Sequence, residues 1–117
     1  MIESTLFNLI HPLLTGGLHY NLAQQGVIRP YGVLTEIVTP TENTLSDGQP
    51  IQNSLYQVTI WDATYLGAKT AGEAVATAIA AAFAAGTLTG VQRSRRGTYE
   101  SDTELHGFIY EFSFWYH

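Results

Sequence analysis

The side chains able to do chemistry are few in this 117-residue chain, and their spacing keeps them apart. Four histidines, His11, His19, His106 and His117, never fall at a metal-ligand spacing such as H-x-x-x-H, and no acid completes a ligand set around them. Carboxylates gather at Glu100, Asp102, Glu104 and Glu111, with Glu42 and Asp47 in an earlier stretch. A paired-acid hydrolase would need two of these held at a fixed separation. Nothing in the spacing supplies that, and the first three fall in a stretch that reads as a turn. No G-x-S-x-G turn offers a nucleophilic serine, and there is no cysteine for thiol catalysis, thiolate metal binding or disulfides. Gly86-Thr-Leu-Thr-Gly90 lacks the lysine and the preceding strand of a phosphate loop, so it reads as a helix exit. We assign no catalytic, cofactor-binding or metal-binding residue, and the sequence reads as that of a non-enzyme.

The sharpest charge feature is Arg93, Arg95 and Arg96, three of the five basic residues. On a strand, 93 and 95 share one face and 96 takes the other, so they form one patch only if the strand bends or bulges. They could meet phosphates, or pair with acids on a neighbouring strand or another subunit. A net charge of −5 argues against a general nucleic-acid binder, which neutralises phosphates with a basic surface.

The elements that must position these groups are legible in the patterning. Residues 3 to 14 carry Leu6, Phe7, Leu9, Ile10, Leu13 and Leu14 at helical spacing, which predicts a first helix that turns irregular at Pro12 or ends near His11. Residues 18 to 30 show scattered apolar side chains and read as a connecting loop. Residues 30 to 39, rich in β-branched side chains, read as a first strand. The stretch 40 to 53 holds Pro40, Asn43, Asp47-Gly48 and Pro50, and reads as a long loop or protruding hairpin tip.

In the second strand, from about Ser54 to Trp61, Tyr56, Val58 and Ile60 point to one face and Leu55, Gln57, Thr59 and Trp61 to the other. Asp62 offers a helix cap. From there Tyr65, Ala68, Gly72, Val75, Ile79 and Ala82 repeat at three and four, the stripe of a helix lying on a sheet, which Gly86 can end. Residues 91 to 99 read as a third strand and 106 to 116 as a fourth, with Phe108, Tyr110, Phe112, Phe114 and Tyr116 on one face.

The expectation is one α+β domain over residues 1–117: an antiparallel four-stranded sheet with helices packed on it, in the order α-β-β-α-β-β. Its far face would carry Leu55, Trp61, Ile109 and Trp115, apolar enough to want cover from the first helix, the long loop or a partner. The acidic start Met1-Ile-Glu-Ser has no basic segment of a secretory leader, and the alanine-rich run 74 to 85 is too short to cross a bilayer, so cytoplasmic residence and no membrane contact are expected.

The junction Val58-Thr-Ile-Trp-Asp-Ala-Thr-Tyr65 with the small-residue helix after it resembles the tail-completion, or tail-terminator, proteins of long-tailed bacteriophages. The ending Phe112-Ser-Phe-Trp-Tyr-His117 resembles their last strand, and the opening helix leading to Pro30-Tyr-Gly-Val resembles their start. Thr15-Gly-Gly-Leu-His-Tyr20 departs from the small apolar loop usual there. The resemblance implies a homo-oligomeric, typically hexameric ring in the tail–neck region of the virion, assembled in the host bacterial cytoplasm. Its implied partners are the tail tube protein and the head or neck connector proteins, with DNA passing through without specific binding, no membrane and no cofactor. Candidate subunit or partner contacts are Glu42 and Asp47 in the long loop, Arg93, Arg95 and Arg96, and Leu55 and Trp61. A head-to-tail connector or neck adaptor is the alternative from the same class, and a small ligand-binding α+β domain the alternative from another.

Overall fold

A computed structural model describes residues 2–23, 26–38 and 52–116. The expected first helix forms as α1 (Ile2–Ile10), and Pro12 converts its continuation into a 3-10 turn, His11–Leu13. The ring of proline excludes the α-helical hydrogen bond but fits the start of a short tight turn. Three strands follow: β1 (Leu18–Tyr20), β2 (Tyr31–Val38) and β3 (Gln52–Asp62). Helix α2 (Tyr65–Ala85) then leads to β4 (Gly90–Glu100) and β5 (Leu105–Tyr116).

The expected antiparallel four-stranded sheet is overturned. The sheet has five strands in the order β1-β2-β3-β5-β4, and it is mixed, because β1 runs parallel to β2 while the other pairs are antiparallel. The extra strand lies in the segment that reads as a loop. Three residues are too few for an alternation to register, and their partners, Gly32 to Leu34, come from a distant part of the chain. Further bonds lock the segment: Gly16 N–H donates to Pro30 O at 2.8 Å, and Gly32 N–H to Gly17 O at 3.0 Å.

Both helices lie on one face of the sheet. Leu6, Ile10 and Leu14 join Ala68, Val75, Ile79 and Ala82 over Tyr56, Val58, Ile60 and the aromatic row Phe108, Tyr110, Phe112 and Phe114 in one buried cluster. The expected faces of β3 and of β5 from Phe108 to Phe114 are therefore correct, the Tyr116 side chain lying outside the described residues, and so is the α2 stripe apart from Tyr65, which is 56% exposed. Small side chains let α2 come close: a Cβ at Gly72 would stand 2.7 Å from the Tyr110 hydroxyl oxygen. The cap of α2 differs from expectation. Thr64, in extended conformation, accepts a hydrogen bond from Gly67 N–H, whereas Asp62 accepts one from Ala63 N–H before the helix begins. Gly86 closes the helix as expected, at φ 81°, where an L side chain would be strained.

Candidate interaction surfaces

Because α1 packs beside α2, it does not cover the far face of the sheet. That face carries Tyr31, Val33 and Thr35 from β2, Leu55, Gln57, Thr59 and Trp61 from β3, and Ile109, Glu111, Ser113 and Trp115 from β5, as the register dictates. Leu55 and Ile109 are half-buried and Trp115 is 40% exposed, so the row expected to want cover is partly open. Residues 40–51 of the expected long loop lie outside the described residues, as do its candidate contacts Glu42 and Asp47 and residue 39, expected to end the first strand. Gln52 and Asn53, expected in the loop, begin β3.

Trp61 ends the far-face row of β3. It is half-buried, and it sits against Gly107, its register partner on β5. Beyond it, residues 21–23 and 26–29 and the turn between β4 and β5 frame a cleft of about 1000 Å3 lined also by Val33, Thr59 and Trp61. Burial raises the Tyr31 phenol above its ordinary value at this cleft, Glu100 adds to the rise and Arg29 opposes it. Leu22 is 82% exposed and Ile28 66% exposed on its rim. Sequence reasoning missed this rim. The only available signal was the scatter of apolar residues between 18 and 30, which has no periodicity to assign it a face.

The arginine cluster lies on β4, at one edge of the sheet. The register steps from Gln92 opposite Phe112 to Ser94 opposite Glu111, so Arg93 is the extra residue of a bulge. Arg95 falls opposite Tyr110 on the helix-bearing face and Arg96 opposite Ile109 on the far face. They form no single patch. The Arg95 guanidinium lies 5.2 Å from the Phe108 ring centre and 3.8 Å from Glu73 on α2; Arg96 lies 3.9 Å from Glu111 on the neighbouring strand. Both ion pairs are half-exposed and hold little stability. Arg93 has no ion pair among the described residues.

The remaining candidate chemistry is structural in its surroundings. His11 Nδ1 accepts from Leu18 N–H and its ring stacks on Phe7 at 4.4 Å; His19 bonds Gly16 O; the His106 ring lies tilted against Tyr99 at 4.8 Å. Glu100 accepts from Thr103 Oγ1, and Glu111 from Ser94 Oγ. Among the described residues no group of histidines and acids could hold a metal ion, and no helix is long and apolar enough to cross a membrane.

The family whose model matches this sequence is described as "Tail completion protein gp17", over residues 10–117. The match takes in every strand and α2. No curated protein matches the chain.

Proposed function

The chain belongs to the tail completion protein gp17 family, structural proteins of bacteriophage tails, and from that premise we propose that it caps the tail tube as an oligomeric ring and takes part in head–tail joining. The family match over residues 10–117 carries this reading. Three physical features support it. A sheet with one face packed on helices and one partly open face has a surface to give to neighbours. Its two edges lie on opposite sides of the molecule, so copies can meet head to tail, the arrangement that closes into a ring. Only five basic residues in the whole chain, against ten acidic ones, leave little to trap DNA in transit through a channel.

In this reading the tail tube end and the head or neck connectors are the partners, and the hexamer is the ring size. The chain acts by assembly rather than by turnover. The test is to mix purified protein with tail tubes from a phage lacking the tail completion gene and to image the tube ends by negative stain. A ring of density on one end, and recovery of head-joined tails after addition of heads, is the expected result. Bare tube ends together with a monomer at all concentrations would sink the proposal.

A further inference from the structure

β4 is an edge strand, and the bulge at Arg93 divides it. Beyond the bulge, residues 94–100 keep one unbroken register with β5 and make no other backbone hydrogen bond among the described residues. Their outer N–H and C=O groups therefore face no strand there. The described residues stop at Val38 and resume at Gln52 toward the other end of the sheet, whereas residues 94–99 lie level with residues 57–62 across β5. Side chains alternate along this half of β4. Gly97 and Tyr99 fall opposite Phe108 and His106 on the helix-bearing face; Arg96, Thr98 and Glu100 fall opposite Ile109, Gly107 and Leu105 on the far face.

Charge on an edge strand commonly serves to prevent pairing. Here both signs are present, and their spacing makes the strand complementary to itself. Partners across an antiparallel pair share a face. A two-fold axis through Thr98 sets Arg96 of each copy opposite Glu100 of the other, twice, on the far face. On the other face it sets Tyr99, 52% exposed, opposite Gly97, also twice, and the glycine leaves room for the ring. An axis through Arg96 would oppose two arginines, and one through Gly97 would set Arg96 against Thr98 and Glu100 against Ser94. Neither charge is used up within its own chain. Arg96 meets Glu111 at 3.9 Å, Glu100 accepts from Thr103 Oγ1 at 2.8 Å, and both residues are exposed with bonding capacity left. Helix α2 lies over β3 and β5 rather than over β4, so two such edges meet without bringing their helices together.

We propose that the free chain pairs with a second copy through its β4 edge, antiparallel about Thr98, with Arg96 of each copy set against Glu100 of the other. The contact is isologous and closes at two copies. It goes beyond the ring reading, because it covers the edge strand of a chain that has not yet reached a tail tube.

The experiment is sedimentation velocity over a range of concentrations on the wild type, Arg96→Glu and Glu100→Arg, with circular dichroism to verify the fold. Each variant alone sets like charges opposite one another at both positions and should weaken self-association roughly tenfold or more. Mixed in equal amounts, the two variants are complementary at both positions and should pair as well as the wild type, which damage to either fold would not produce. A second measurement needs no charge reversal. The chain has no cysteine, and Thr98→Cys places one opposite its own copy on the axis, so mild oxidation should give a covalent dimer; Ser94→Cys, away from the axis, should not. A wild type that is monomeric at every concentration, single variants that pair like the wild type, a mixture no better than its components, or Thr98→Cys no more cross-linked than Ser94→Cys overturns the pairing. Capping is read on the tube ends themselves, so the tail role stands or falls separately.

Discussion

The Trp61 indole covers Gly107: the two are register partners on neighbouring strands, and a Cβ at position 107 would stand 2.8 Å from both Cε3 and Cζ3 of the ring. Real Cβ contacts are not that short, and the Thr98 methyl carbon at 3.1 Å closes another side. The glycine is therefore the seat of the tryptophan, one residue before β3 ends at Asp62.

Gly107→Ala should destabilise the fold by about 1–3 kcal/mol, through overpacking. Trp61→Ala should cost about 1–3 kcal/mol, less than a fully enclosed tryptophan, because the ring is half-buried. The two losses should not add. In the Trp61→Ala background the Gly107→Ala cost should shrink to below about 1 kcal/mol, since the ring it strikes has gone. Urea unfolding of the four-member cycle measures this, and full additivity would refute the contact.

Gly72 and Tyr110 form a second close approach, between α2 and β5. Gly72→Ala adds helix propensity of about 1 kcal/mol, yet its Cβ would meet the Tyr110 hydroxyl at 2.7 Å, so a net loss of about 1–2 kcal/mol is expected. Among the described residues the buried Tyr110 hydroxyl has no hydrogen bond of good geometry, although the Arg95 guanidinium acts on it. Tyr110→Phe removes an unsatisfied polar atom and should change stability by less than about 1 kcal/mol in either direction. It should also make Gly72→Ala better tolerated. A thermal-unfolding comparison in which Tyr110→Phe alone costs several kcal/mol would show that the hydroxyl has a partner.

Alkaline stability follows from two phenols. Burial raises Tyr110 above its ordinary 10.0, Glu73 adds to the rise and Arg95 opposes it; Tyr31 is raised in the same sense. The folded chain thus holds these protons after the unfolded chain has begun to release them. The stabilisation is fully present below pH 10 and disappears as pH climbs through the folded values. Midpoints of urea unfolding should fall above that pH, and Tyr110→Phe should make the fall shallower. An unchanged slope would mean that the tyrosine does not titrate with unfolding.

The cap assignment makes a ranking testable by circular dichroism. Thr64→Ala removes the acceptor for Gly67 N–H and should cost about 1 kcal/mol. Asp62→Ala should cost less, because its carboxylate serves the residue before the helix. The reverse order would restore Asp62 as the cap.

What the sequence determined by itself was everything that a local period can encode. Alternation gave β3 its two faces, with Val58 and Ile60 buried and Leu55 and Trp61 turned away, and a repeat of three and four gave α2 its buried stripe up to the Gly86 stop. The family was also legible, in the strand-to-helix junction around Trp61 and the aromatic last strand.

Only the tertiary structure decided the rest, and the reason is that the rest depends on partners far apart in sequence. Leu18–Tyr20 becomes a strand because Gly32 to Leu34 accept it in parallel, which no three-residue pattern can announce. Arg95 and Arg96 take opposite faces, as a strand requires, but the bulge at Arg93 is set by the match of β4 to β5. Placing α1 beside α2 rather than on the far face is a choice between two apolar surfaces that the helix pattern fits equally well. That choice leaves Leu55 and Trp115 toward the open side and sends Trp61 to Gly107, a residue whose lack of a side chain has meaning only once β3 and β5 lie together.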